Sequence, residues 1–105
     1  MKKNQEKTKV IFRKYKDDGE IIAIFPEELG TDDHFSCLCY EHEDQHSYCM
    51  PEFVIAFTKL AKFEEYASLK TELENIGYNL DIKIKYFYNS AIKRFNKLEK
   101  QKESK

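Results

Sequence analysis

A chain of 105 residues, 41% hydrophobic and 14% aromatic, is long enough for one domain around one core. Three glycines, two prolines and 35% charged residues at a net charge of −1 exclude a low-complexity chain and argue against a dedicated polyanion binder. The longest apolar runs, Ile21–Phe25 and Phe53–Phe57, have five residues each, against the roughly 20 that a membrane-spanning helix needs. The basic start, Met1 to Lys9, is followed by no apolar stretch, so no signal peptide is expected. Three cysteines cannot all pair in disulfides. Both features set a cytoplasmic expectation, with no membrane partner.

In chain order, Thr8–Tyr15 mixes β-branched and aromatic residues and predicts a strand. Asp17-Asp18-Gly19 predicts a tight turn, and Glu20–Phe25 returns as a second strand that Pro26 ends. The unbroken Ile21-Ile-Ala-Ile-Phe25 implies burial on both faces of that strand. Glu27–Asp33 reads as an acidic loop. Phe35–Glu41 alternates Phe35, Cys37 and Cys39 with Ser36, Leu38 and Tyr40, a third strand. Glu43–Pro51 reads as polar and irregular, and Phe53–Thr58 as a fourth strand.

Tyr66, Leu69, Leu73 and Ile76 recur at helical spacing, with Glu64 and Glu65 in the first turn and Gly77 at the C-cap position. Tyr78–Tyr86 alternates Leu80, Ile82, Ile84 and Tyr86 against polar neighbours and predicts a half-buried strand. Phe87–Lys100 returns to helical spacing at Tyr88, Ala91/Ile92, Phe95 and Leu98. The reading is a single α+β domain over residues 1–105, ordered β-β-β-β-α-β-α. It has a mostly antiparallel sheet of about five strands and one or two packed helices, with residues 1–7 and 101–105 as frayed tails.

Three blocks carry a resemblance: Val10–Pro26, Cys39–His46 and Glu64–Leu80. Together they resemble a family of small bacterial proteins, often carried on phages and integrative elements, with no assigned activity. The resemblance implies a compact accessory protein. The family pattern tends to have Gly where this chain has Asp44, and it does not include Cys49.

All three histidines and all three cysteines fall between His34 and Cys49. Imidazole and thiolate make zinc the first candidate ligand, with Cys39, His42, His46 and Cys49 as possible donors. His42-x3-His46 has zinc-finger spacing, but Cys37-x-Cys39 does not. On a strand those two Cα atoms stand about 6.6 Å apart, whereas sulfurs sharing one zinc lie about 3.8 Å apart. Two cysteines filling a core face is the simpler reading, leaving His42, His46 and Cys49 in a polar turn. Cys49 with His46, oriented by Glu43 or Asp44, has the residue types of a nucleophile–base set, but no Gly-rich oxyanion or phosphate loop accompanies it. Glu27, Glu28, Asp32 and Asp33 could gather a hard cation, though their spacing fits no EF-hand.

Charge is segregated. Residues 1–16 carry seven Lys/Arg and one Glu, residues 17–58 carry eleven acids and no Lys or Arg, and residues 59–105 carry eleven Lys/Arg and seven acids. Arg13, Lys14, Lys83, Lys85, Arg94 and Lys97 would form one basic nucleic-acid-binding face if the first strand, last strand and last helix are neighbours. The acidic middle would instead engage a basic protein, and the last helix would dock on a partner. A non-enzymatic protein-binding or regulatory accessory protein is therefore the expectation. Nucleic-acid binding is the alternative, a small zinc module the second alternative, and no other cofactor is implied.

Overall fold

The computed structural model describes residues 6–42 and 45–103. Glu43 and Asp44, and so the proposed orienter of a Cys–His pair, lie outside the described residues. The chain forms β1 (Thr8–Tyr15), β2 (Ile21–Leu29), β3 (Cys37–Tyr40), β4 (His46–Cys49), α1 (Pro51–Phe57), β5 (Thr58–Leu60), α2 (Phe63–Ile76), β6 (Leu80–Lys83) and α3 (Asn89–Glu103). The fold is α+β, with a mainly antiparallel sheet in the order β4-β3-β2-β1-β5. β6 also pairs with β1, in parallel. β1 shares one edge between two short strands: Thr8–Ile11 pairs with β6 and Arg13–Tyr15 with β5.

The sheet is covered on both faces, and strand parity sorts its residues. Val10, Phe12, Ala23, Phe25 and Tyr40 join Leu69 and Leu73 of α2 in one core cluster. The Phe12 ring stacks on Tyr66 at 4.2 Å, and Phe25 stacks on Tyr78 at 5.0 Å. Ile11, Ile22, Ile24, Cys37 and Cys39 form the opposite cluster, closed by Val54 of α1. The apolar run of β2 is thus buried on both faces, as its sequence implies.

α2 occupies the span its periodicity predicts. Its first turn is fixed by Glu65, whose carboxylate accepts from the Lys62 N–H at 2.9 Å and from Lys14 Nζ at 2.5 Å. Those two bonds hold the Glu65 carboxyl below its ordinary range, Lys14 contributing most. Gly77 ends the helix at φ 127°, a backbone angle that L side chains rarely adopt.

Four local expectations are corrected. Phe53–Thr58 is not a strand. Pro51 at the first helical position and Glu52 in the first turn start a helix, burying Pro51 and Val54 and leaving Phe53 and Phe57 exposed. A five-residue apolar run has no period of its own to decide between the two forms. Residues 46–49 of the supposed irregular segment are a strand, paired with β3. Pro26 does not end β2, which continues to Leu29 through a register shift between Phe25 and Leu29. A proline without an N–H is accommodated at such an irregularity. The last strand stops at Lys83, so Ile84 is exposed while Tyr86 packs on the second cluster. The helices number three among the described residues, and α3 extends through Glu103, into the expected tail.

Gly30 marks where the chain leaves β2. A Cβ there would lie 2.6 Å from both the Cys37 carbonyl oxygen and Tyr48 Cβ, so only glycine fits this approach.

Candidate binding site

The four metal-ligand candidates separate. On β4 and β3, His46 faces Tyr40 in cross-strand register, on the α2 side of the sheet. Its Nε2 lies 2.8 Å from the Tyr78 hydroxyl. His42 Nδ1 lies 2.8 Å from Glu72 of α2, whose carboxylate also accepts from the Tyr40 hydroxyl. Cys39 belongs to the core cluster of the other face, where Cys49 packs against it. Among the described residues no three His, Cys, Asp or Glu side chains converge as a metal site requires.

Cys37 and Cys49 are cross-strand partners with sulfurs 3.8 Å apart, and all three cysteines are free thiols. The contact with Cys37, together with burial, pushes the Cys49 thiol up to about 12. The contact with Cys49, then burial, pushes the Cys39 thiol up as well. A nucleophilic cysteine needs the opposite shift.

Three of the four acidic-loop candidates serve structural tasks, and Asp32 is exposed without a partner among the described residues. Glu27 accepts from Lys9 at 3.0 Å and Lys93 at 3.3 Å, and Glu28 pairs with Lys97 at 3.0 Å. Asp33 Oδ1 accepts from the Phe35 and Ser36 N–H groups at 2.8 and 3.1 Å, holding the turn before β3.

Five of the six basic candidates are held by partners within the fold. Arg13 donates to Thr58 Oγ1 at 2.9 Å and to the Thr58 and Ile55 carbonyls, joining β1 to the end of α1. Lys14 is held by Glu65, Lys97 by Glu28 and Lys83 by Asp81 at 3.5 Å. Arg94 is corrected outright as a surface contact, being 1% exposed. It donates to the Pro26 carbonyl at 2.6 Å, the His34 carbonyl at 3.0 Å and the Tyr86 hydroxyl at 3.2 Å. It therefore clamps α3 to β2 at Pro26 and to the loop before β3 at His34. Lys85 alone of the six has no side-chain partner among the described residues.

The Arg94 clamp sets the rotation of α3. Ser90 and Arg94, on the i, i+4 row, turn inward. Ile92 and Phe95 turn instead toward a groove whose other wall is Phe35, Met50 and Glu52. The groove holds about 550 Å³ and is lined chiefly by apolar side chains. Phe35 is 62% exposed, and Met50, Ile92 and Phe95 are each more than 40% exposed. The His34 ring braces both walls, lying 4.1 Å from Phe35 and 5.1 Å, edge on, from Phe95. Glu52 is exposed on the groove and has no ion-pair partner among the described residues.

The apolar stripe of this last helix is legible in the sequence, but the groove is not. The signal available was Arg94 itself, one residue off the stripe Tyr88, Ala91/Ile92, Phe95 and Leu98. Protein-family models, curated proteins and solved structures offer no match to this chain. No described helix is long and apolar enough to cross a membrane.

Proposed function

We propose that this protein acts by binding another protein, taking apolar side chains of a partner segment into the groove between α3 and the Phe35–Glu52 wall. The observation that carries the reading is the groove itself. It is concave, about 550 Å³, and walled by Phe35, Met50, Ile92 and Phe95, all left in solvent. Contiguous apolar surface of this kind marks recognition sites, and methionine with aromatics suits a peptide-binding groove. One wall comes from the stretch 17–58, which holds eleven acids and no Lys or Arg. Its Glu52 carboxylate is unpaired among the described residues. The complementary occupant is an amphipathic segment with two apolar anchors and a Lys or Arg beside them. The scattering of titratable groups into ion pairs and turn caps favours a non-enzymatic role.

Selection of displayed peptides against the intact protein, with Phe95→Glu as counter-target, tests this reading. Enriched peptides should carry paired apolar anchors with a flanking base and should lose at least tenfold in affinity for F95E, about 1.4 kcal/mol or more. Peptides that bind F95E as well as the parent, or that are acidic, would overturn it.

A further inference from the structure

On the opposite side of the first turn of α3 lies a second cavity, of about 380 Å³. Lys9, Lys83, Lys85 and Ser90 line it, with Phe87 and Tyr88 at its mouth. From this arrangement we infer a binding site for a phosphomonoester that carries a flat ring, of which a nucleoside 5′-monophosphate is the simplest form.

Two independent features point to an anion. The first is electrostatic. Four ammonium groups, on Lys9, Lys83, Lys85 and Lys93, surround two carboxylates, Glu27 and Asp81. Glu27 is neutralised by Lys9 and Lys93, Asp81 is 3.5 Å from Lys83, and Lys85 is left over. The positive end of the 15-residue α3 adds to the same field. The second is an unmet hydrogen bond. Ser90 is only 5% exposed and lines the cavity, yet its hydroxyl has no partner among the described residues. The neighbouring backbone is settled: the Ser90 and Ala91 N–H groups donate to the Phe87 and Tyr88 carbonyls at 2.9 and 3.0 Å. A buried hydroxyl left unsatisfied costs stability, and a ligand oxygen would satisfy it.

The aromatic pair sets the rest of the ligand. Tyr88 is 80% exposed and Phe87 59%, both beside the cationic floor. Bases stack on exposed rings of this kind, while a phosphate with a second negative charge is held by lysines and a hydroxyl. Pro26, Glu27 and Asn89 complete the lining, so a continuous strand laid through the cavity would meet the Glu27 carboxylate, which a terminal phosphate group avoids.

Titration of the intact protein at low salt, followed by tyrosine fluorescence and calorimetry, tests the site with four probes. These are adenosine 5′-monophosphate, inorganic phosphate, adenosine, and an oligoadenylate lacking a terminal phosphate. The monophosphate should bind with a dissociation constant below about 1 mM, and phosphate or adenosine alone at least tenfold more weakly. Ser90→Ala should weaken the monophosphate by about tenfold, the loss of a hydrogen bond to a charged group. The same variant should unfold at the parent temperature or above it, since no bond within the protein is lost. Lys85→Glu, at an exposed position, should abolish binding with the fold intact. Absence of monophosphate binding, unchanged affinity in both variants, equal binding of adenosine, or equal binding of the unphosphorylated oligonucleotide would each overturn the site.

Discussion

Replacing Arg94 by Met should loosen α3 while leaving the sheet folded. Met keeps much of the buried volume and removes every donor. The Pro26 and His34 carbonyls, now 2.6 and 3.0 Å from the guanidinium, then lose that partner. Each buried acceptor left unpaired costs about 1–3 kcal/mol. The variant no longer has to desolvate a guanidinium that faces carbonyls and a hydroxyl rather than a carboxylate, which returns part of that cost. A net loss of about 2–4 kcal/mol follows, a large share of the 5–15 kcal/mol typical of a domain. At about 4–8 °C per kcal/mol for a chain near this length, Tm should fall by roughly 10–25 °C. Urea unfolding followed by circular dichroism measures the total, and hydrogen exchange locates it. Amides of α3 should lose protection before those of β1 and β2. Arg94→Lys should fall in between, because one ammonium cannot reproduce the guanidinium fork. A Met variant within about 0.5 kcal/mol of the parent, with α3 protection unchanged, would refute the clamp.

Gly30→Ala should destabilise by about 1–3 kcal/mol, since the new methyl meets backbone and a Cβ rather than a flexible side-chain end; the urea midpoint checks this. The thiol of Cys49, raised from 9.0 to about 12 in the fold, is protonated at neutral pH. A folded pKa above the unfolded value gives a contribution fully present below pH 9.0 and lost as pH rises toward 12. Urea midpoints should accordingly fall between pH 9 and 11, less so in Cys49→Ser, and an aromatic disulfide reagent at pH 8 should label the folded protein far more slowly than the unfolded one. Fast labelling of all three thiols in the fold would contradict this. Because His42 and His46 lie on the α2 face and Cys39 and Cys49 on the other, added zinc should leave Tm unchanged; a rise abolished by both His46→Ala and Cys49→Ser would reverse that conclusion.

Long, strongly patterned elements were legible in the sequence. β1 and the first half of β2 follow from their β-branched, aromatic and apolar content, α2 from its helical period, and the burial of Cys37 and Cys39 on one core face from strand parity. Cys49, expected in a polar turn with the histidines, packs instead on that same core face. Short elements were not legible. α1 and β4 have seven and four residues, and their form is set by what they pack against: Val54 on the second core cluster, and β4 on β3. The pairing of most of the basic candidates was hidden for a related reason. Composition counts Arg13, Lys14, Arg94 and Lys97 as cations, but not the carbonyls and carboxylates that fold back onto them. The groove was hidden because the buried residues of α3 are Ser90 and Arg94, both polar, which reverses the usual assumption that the apolar stripe of a helix faces inward.

The most direct test of binding at the groove is an amide chemical-shift map of the protein with a selected peptide. Shifts should concentrate at Phe35, Met50, Glu52, Ile92 and Phe95, leave the α2 face unchanged and vanish in Phe95→Glu. Shifts centred instead on the His42–Glu72 face or on the β4 edge, or spread evenly over the surface, would contradict it.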